Sequence, residues 1–230
     1  LNAKQEHAAF DLCESRSNKE RSILIWGDSH AAHLSPGFDS SFGDNFEIIQ
    51  RTASLCPPIL GMEIDARPNC KEINHLIFES IKEKPPSRVV LAANWWIYGW
   101  KGVKSTISAL QNVGIRQIDL IGAIPQWPHP LPRQLLLYFQ DDKFHRVPER
   151  MRFSLMPKYK KLDKKMSSYA NNVGIEFISL TKILCGETDC LARLGHTSDT
   201  LTVWDSGHLT AYGSRFVVGH FPGSRPIDAR

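Results

Sequence analysis

Short apolar runs that alternate with helical stretches restrict the fold of this sequence more than any other feature. The runs are rich in Ile, Val and Leu throughout, which is typical of strands that are covered on both faces. We predict strands at 22–27, 46–52, 88–93, 117–124 and 175–180, and helices near 71–84, 102–113, 157–172 and 209–221. Strands that alternate with helices form a mostly parallel sheet between helical layers. The sequence therefore predicts an α/β fold with about five strands and with helices on both faces.

The length of 230 residues and the hydrophobic content of 42% are enough for one good core, although length alone allows one or two domains. Residues 1–21 are polar and weakly patterned, so we expect a linker or extension strapped to a domain at 22–230. The stretch 125–132, "PQWPHPLP", predicts the start of a long irregular insertion that walls one side of a cleft. Because the chain begins without Met or a signal-like segment, we expect a piece of a larger protein.

The charge of the chain is mildly positive, with a formal net value of +4. It suits an anionic polysaccharide or a membrane surface but requires neither. Five lysines occupy the polar faces of the helix predicted at 157–172: Lys158, Lys160, Lys161, Lys164 and Lys165. No aromatic platform is interleaved with them, so they indicate a solvated helix surface and we expect no nucleic-acid partner.

The five cysteines indicate an oxidising compartment. Their local spacing predicts the disulfides Cys56–Cys70 and Cys185–Cys190. Zinc is the alternative, but no CxxC or HxxxH spacing occurs, so we expect no metal. Cys13 is left over, and it is either free or paired with a residue upstream of Leu1.

Two short motifs at opposite ends of the chain are candidates for chemistry. Ser29 follows the first predicted strand and precedes a helix, where open parallel sheets place their ligands. A serine becomes a nucleophile when a histidine takes its proton and a carboxylate orients that histidine. Asp205 and His208 stand three residues apart just before the last predicted helix. The alternative is that Ser29 and Asp205 only cap their helices.

The motifs "WGDSHA" at 26–31, "CPP" at 56–58, "CGETDC" at 185–190 and "DSGH" at 205–208, with the Trp-containing stretch after the third strand, carry a family resemblance. The chain resembles the SGNH (GDSL-like) hydrolase superfamily. Within it, residues 22 to about 220 look like the SGNH domain fused to the membrane acyltransferase-3 domain of bacterial polysaccharide O-acyltransferases. The resemblance implies the three-layer flavodoxin-like SGNH fold.

The resemblance also implies roles for particular residues. It makes Ser29 the nucleophile, His208 the base and Asp205 the group that orients the base. The oxyanion hole would use the backbone N–H of Ser29 and the side chain of Asn94 in "AANWW". The family's second-block glycine is missing from "RTASLCPP", so Ser54 or a backbone amide near it takes that place. No cofactor is implied.

The implied function is O-acyl transfer, with acetyl as the expected group. The acyl group would pass through a Ser29 acyl-enzyme to a sugar hydroxyl of a cell-envelope polysaccharide such as lipopolysaccharide O-antigen. A membrane acyltransferase-3 domain upstream in the same chain would deliver the donor, which makes this the periplasmic domain of an inner-membrane protein. A carbohydrate acetyl-esterase with the same triad is the alternative. A non-catalytic glycan-binding module is a second alternative, which the missing glycine favours and the presence of Ser29, Asp205 and His208 opposes.

Residues beside these motifs are expected to have structural roles. Asp28 would brace the turn after the first strand, and His30 and His33 would pack or lie on the surface. Three tryptophans near the third strand can either stack on sugar rings or belong to the core and its rim: Trp95, Trp96 and Trp100.

Overall fold

A five-stranded parallel sheet forms the centre of the structure, a computed structural model that describes residues 19–143, 146–195 and 200–225. In chain order the strands are β1 (Ser22–Gly27), β2 (Glu47–Thr52), β3 (Arg88–Ala92), β4 (Ile118–Ile121), β5 (Arg150–Arg152), β6 (Glu176–Ile178) and β7 (Asp189–Leu191). The sheet has the order β2-β1-β3-β4-β6, and all its neighbours are parallel. Strands β5 and β7 form a separate antiparallel pair.

Helices cover both faces of this sheet. They are α1 (Ser29–Ala32), α2 (Ser35–Phe42), α3 (Cys70–Glu83), α4 (Trp95–Tyr98), α5 (Val103–Asn112), α6 (Leu131–Asp141), α7 (Met156–Val173), α8 (Leu180–Leu184) and α9 (Ala211–Val218). The strand order reverses after β2, so right-handed crossovers place α2 on one face and α3, α5 and α7 on the other. Helix α9 packs against α2. The predicted three-layer α/β fold is thus confirmed.

The five predicted strands are observed as β1, β2, β3, β4 and β6, and the four predicted helices as α3, α5, α7 and α9, with bounds that differ by a few residues. Helices α2, α4, α6 and α8 and the strand pair of β5 and β7 were not predicted. The irregular insertion expected from residue 125 is wrong, because it contains the three-turn helix α6. Only Leu131 and Leu135 of that helix are buried, whereas the apolar run at 136–138 is exposed. This continuous run hides the helical period in the sequence, and Pro132 in the first turn is compatible with a helix start.

Strand β1 lies in the middle of the core, and its end determines where the candidate site lies. Ile23, Ile25 and Trp26 are fully buried, and the Trp26 indole N–H donates to the Asn74 side chain on α3 at 2.8 Å. The register pairs Gly27 with the last residues of both neighbouring strands. The ends of β2, β1 and β3 therefore lie side by side.

Both predicted disulfides, Cys56–Cys70 and Cys185–Cys190, are confirmed. The first joins the loop after β2 to the first residue of α3. Cys13 and most of the expected extension at 1–21 lie outside the described residues. Within the described ranges, no helix has the length and apolar character of a membrane span, and no group of three or more His, Cys, Asp or Glu residues could hold a metal ion.

Candidate active site

Three candidate residues follow three neighbouring strand ends. Gly27 at the end of β1 pairs with Thr52 at the end of β2 and with Ala92 at the end of β3. Ser29, Ser54 and Asn94 each lie two residues beyond these positions. Because the register is shared, the three residues emerge at the same edge of the sheet, with Ser29 in the middle.

The side chain of Asp28 ties two of these strand ends together. One oxygen, Oδ1, accepts from the backbone N–H of His30 at 2.7 Å and caps α1. The other, Oδ2, accepts from the backbone N–H of Asn94 at 3.0 Å. Burial raises the pKa of Asp28 to about 6, against the opposing effect of these two hydrogen bonds. Asp28 therefore fixes the position of the Asn94 backbone relative to the turn that carries Ser29.

A hydrogen-bonded chain joins Ser29, His208 and Asp205 across 179 residues of sequence. The His208 Nε2 atom lies 2.8 Å from Ser29 Oγ, and its Nδ1 atom lies 2.6 Å from Asp205 Oδ2. Asp205 Oδ1 accepts from the backbone N–H groups of Gly207 and His208 at 2.8 and 2.7 Å. The carboxylate is thus held by its own turn and directed at the imidazole.

The pKa of Asp205 is lowered although burial alone would raise it. The hydrogen bonds from the His208 and Gly207 amides and from the imidazole outweigh the burial. An ionised Asp205 accepts the Nδ1 proton of His208, which leaves Nε2 free to take the proton of the Ser29 hydroxyl. This arrangement is able to activate the Ser29 hydroxyl as a nucleophile.

The helix-cap alternatives do not match the structure. Helix α9 is capped by Thr210, whose hydroxyl accepts from a backbone N–H of the first turn at 2.9 Å. Asp205 lies five residues earlier, so it is not the cap of that helix. The cap of α1 is Asp28, and Ser29 is the first helical residue. The Ser29 side chain is therefore available for the hydrogen bond with His208.

Asn94 and Ser54 occupy positions where oxyanion-hole donors would be expected. Asn94 is 8% exposed, and its side-chain oxygen has no hydrogen-bond partner in the described part of the chain. Ser54 lies in a turn closed by the Cys56 N–H on the Ala53 carbonyl at 3.0 Å. Leu55 in that turn has a φ of 63°, a conformation that a leucine rarely adopts. The turn at Ser54, where the family has its second-block glycine, thus has an unusual backbone conformation at Leu55.

Two further histidines lie behind His208, although the sequence predicts for them only packing or surface positions. The His30 and His33 rings lie 4.7 and 6.1 Å from the His208 ring. Burial lowers the pKa of His30 to about 3 and that of His33 well below its ordinary range. The His33 Nδ1 atom accepts the Leu209 N–H at 3.3 Å. The sequence signal for this placement is their spacing of three residues, which puts two side chains on the same face of a helix.

The segment after β4 lies against the Asp205–His208 turn. The Trp127 N–H donates to the Ser206 carbonyl at 2.7 Å, and the Leu131 N–H donates to the Asp205 carbonyl at 3.0 Å. The side chain of Gln126 packs so closely on Gly207 that an added Cβ there would lie 2.8 Å from it. Residues 126–131 therefore support the turn that carries the candidate base.

The tryptophans after β3 divide between core and surface. Trp95 is buried, and its indole N–H donates to the Ile121 carbonyl at 2.8 Å. Trp96 is exposed, and its ring lies 4.8 Å from that of Tyr159. Trp100 is partly buried and packs on Tyr169. Only Trp96 of these three presents a large surface to solvent.

Comparison with known proteins identifies the family. The family model described as "SGNH domain (fused to AT3 domains)" matches residues 2–222. The structure is similar to the periplasmic domain of a lipopolysaccharide acetyltransferase from Salmonella ser. Paratyphi A, with 27% identity and a TM-score of 0.80, over 94% of this chain and 87% of that one.

A GDSL-like lipase from Bacteroides thetaiotaomicron shares the fold at 14% identity and a TM-score of 0.54, over 93% of this chain and 92% of that one. No curated protein sequence matches the chain significantly. Because the family model covers nearly all of its 230 residues, the chain belongs to the family of SGNH domains that are fused to AT3 domains.

Proposed function

We propose that this domain is an O-acyltransferase that moves an acyl group, most simply acetyl, through a Ser29 acyl-enzyme to a sugar hydroxyl of a cell-envelope polysaccharide. The hydrogen-bonded chain of Ser29, His208 and Asp205 carries this proposal. The similarity to a periplasmic domain of a lipopolysaccharide acetyltransferase supports lipopolysaccharide as the acceptor and the periplasm as the location, and we propose the O-antigen as the acetylated part. An acyltransferase-3 domain in the same chain would supply the donor, in line with the family description.

The first half-reaction acylates the serine. Ser29 Oγ attacks the carbonyl carbon of the donor while His208 Nε2 takes the hydroxyl proton, and Asp205 stabilises the imidazolium that forms. The oxyanion of the tetrahedral intermediate would accept hydrogen bonds from the Ser29 N–H, the Asn94 side chain and a donor of the Ser54 turn. When the intermediate collapses, the bond to the leaving group breaks and the leaving group takes the proton from His208.

The second half-reaction transfers the acyl group. A sugar hydroxyl gives its proton to His208 Nε2 and attacks the ester carbon on Ser29. The bond to Ser29 Oγ then breaks, and the serine recovers the proton. A carbohydrate acetyl-esterase is the second candidate, because the His208 side chain is 27% exposed and water can reach it. A glycan-binding module would not need this alignment of nucleophile, base and carboxylate.

Replacing the nucleophile tests the enzyme proposal. Ser29→Ala should lower the turnover of p-nitrophenyl acetate by at least about 10³-fold. It should leave the circular dichroism spectrum and the thermal melt unchanged, because Asp28 and not Ser29 caps α1. Ser105→Ala, at an exposed hydroxyl on α5, is the matched control and should retain full activity. A folded Ser29→Ala protein with wild-type turnover would contradict the proposal.

Product analysis separates transfer from hydrolysis. The wild-type protein is supplied with p-nitrophenyl acetate and with O-antigen polysaccharide whose acetyl esters have been removed by alkali. We expect new acetyl esters on the polysaccharide, detected by NMR, in addition to free acetate. Free acetate alone at every polysaccharide concentration would identify an esterase.

A further inference from the structure

Trp204 is an exposed tryptophan that is held against the proposed base. It is 60% exposed, yet its indole stacks on the His208 imidazole with ring centroids 5.4 Å apart and 21° between the planes. Its backbone N–H donates to the His208 carbonyl at 3.0 Å, and a bridge between Val203 and Leu209 closes the same turn. The position of the indole is thus fixed relative to His208, while much of its surface stays open.

An exposed aromatic ring at this position points to a ligand. Single exposed apolar residues are common on protein surfaces, but tryptophan has one of the largest apolar surfaces of any side chain, and this one is fixed against the proposed base. An acyl acceptor must bring its hydroxyl to about 2.6–3.2 Å from His208 Nε2. Since Trp204 stacks on the same imidazole, a molecule that reaches Nε2 lies next to the indole. The exposed ring is therefore positioned to contact the acceptor.

The chemistry around His208 favours an uncharged ring as the occupant. The face of an indole is electron-rich, so it attracts the polarised C–H groups on the face of a pyranose. The neighbouring rings of His30 and His33 are neutral at neutral pH, since burial lowers the pKa of both. The nearby Asp205 carboxylate is ionised, so it would repel an acidic sugar.

We propose that Trp204 is the sugar platform of the site, on which an uncharged pyranose ring stacks while its hydroxyl reaches His208. This inference rests on the proposed acyl transfer and extends it to the class of acceptor. Trp204 directly precedes Asp205 in the chain, but neither the serine motif nor the Asp205–His208 motif gives it a role.

The partition between transfer and hydrolysis tests the platform. The protein is supplied with p-nitrophenyl acetate and methyl α-D-glucopyranoside, and NMR measures acetylated glycoside and free acetate. Trp204→Ala should lower the ratio of transfer to hydrolysis at least about tenfold, whereas Trp204→Phe should stay within about threefold of wild type. Damage to His208 would lower both products and leave the ratio unchanged. Tyr138→Ala, at an exposed aromatic residue on α6, is the control and should keep the wild-type ratio.

A binding measurement keeps the test valid if the enzyme only hydrolyses. Saturation-transfer NMR on the Ser29→Ala protein should detect the neutral glycoside, and adding Trp204→Ala should remove most of the signal. The glucuronic acid analogue should give the weaker signal of the two sugars. Hydrolysis without transfer, together with Trp204-dependent binding, would refute the transferase and retain the platform. The platform is overturned if Trp204→Ala changes neither ratio nor binding, if the acidic sugar binds better, or if neither glycoside binds.

Discussion

At the level of single residues, two carboxylates hold the candidate site together in different ways. Asp205 is only partly buried and is stabilised as an anion by two backbone amides and an imidazole. Asp28 is buried, and its hydrogen bonds do not compensate for the lost hydration of the charge, so its pKa rises to about 6. We therefore predict an effect on activity for the replacement of Asp205 and an effect on pH-dependent stability for the replacement of Asp28.

Asp205→Asn should lower kcat on p-nitrophenyl acetate by about 10–10³-fold with little change in the thermal melt. Asn retains an oxygen for the two backbone amides but presents an N–H group to His208 Nδ1. It thereby favours the wrong tautomer and no longer stabilises the imidazolium. Asp65→Asn, at an exposed loop position, is the control and should be silent in both measurements. Full activity of Asp205→Asn would leave a Ser29–His208 dyad.

Asp28→Asn should change how stability depends on pH. The folded-state pKa of Asp28 lies above its ordinary 3.8, so the folded protein binds more protons than the unfolded chain between about pH 4 and pH 6. The free energy of unfolding of the wild type should therefore fall by roughly 2 kcal/mol relative to the variant between pH 4 and pH 7. Urea unfolding at about pH 4 and about pH 7 measures the difference. Parallel pH curves for the two proteins would contradict the prediction.

Among the elements, the close approach of β1 to β3 determines where Ser29 emerges. Gly27 is the last residue of β1, and a Cβ atom built there would lie 1.8 Å from the Ala92 carbonyl oxygen. Only a residue without a side chain allows the two strands to pair to their ends. The 3.0 Å hydrogen bond from the Asn94 N–H to Asp28, which precedes Ser29, depends on this pairing.

Gly27→Ala should lower the free energy of unfolding by more than about 4 kcal/mol, because the clash is with backbone in the middle of the sheet. Gly61→Ala is the matched control. Like Gly27, whose φ is 155°, Gly61 has a positive φ, of 79°, but no atom lies within 4 Å of a Cβ added to it. Its replacement by alanine should therefore cost only about 1–2 kcal/mol of backbone strain. Denaturant unfolding compares the two variants. Equal losses would show that the close approach to Ala92 does not limit the fold.

Considering the molecule as one unit, the two disulfides restrain parts of the chain that differ in loop length. Cys56–Cys70 spans 14 residues of sequence and anchors the loop that contains Ser54. Cys185–Cys190 spans 5 residues and joins the end of α8 to the middle residue of β7. A longer closed loop restricts the unfolded chain more, so the first bond should contribute more to stability.

Removing each bond by paired Cys→Ala substitutions should lower the free energy of unfolding by about 3 kcal/mol for Cys56–Cys70 and by about 2 kcal/mol for Cys185–Cys190. Urea unfolding under non-reducing conditions gives both values, with the wild type in reducing agent as a reference. The reverse order of the two losses would contradict the loop-length explanation.

Local patterns in the sequence were sufficient for the five strands of the main sheet, for four of the helices, and for Ser29, Asp205 and His208 as candidate residues. The unbroken apolar runs predicted the parallel strands because strands covered on both faces need apolar residues at every position. The motif at Gly27–Ser29, the spacing of Asp205 and His208 and the separations of the four paired cysteines are all short-range features. Each lies within a short stretch of the sequence, which is why it can be recognised without coordinates.

Contacts between distant segments came only from the tertiary structure. The 2.8 Å contact of His208 with Ser29 spans 179 residues, and the local motifs name both residues as candidates without showing that their side chains meet. Where α9 begins excluded Asp205 as the cap of that helix. The inward placement of His33 depended on the packing of α1, and the proposed role of Trp204 depended on its stacking with His208. These outcomes follow from how the sheet and the layers of helices pack, and packing is a property of the folded chain as a unit.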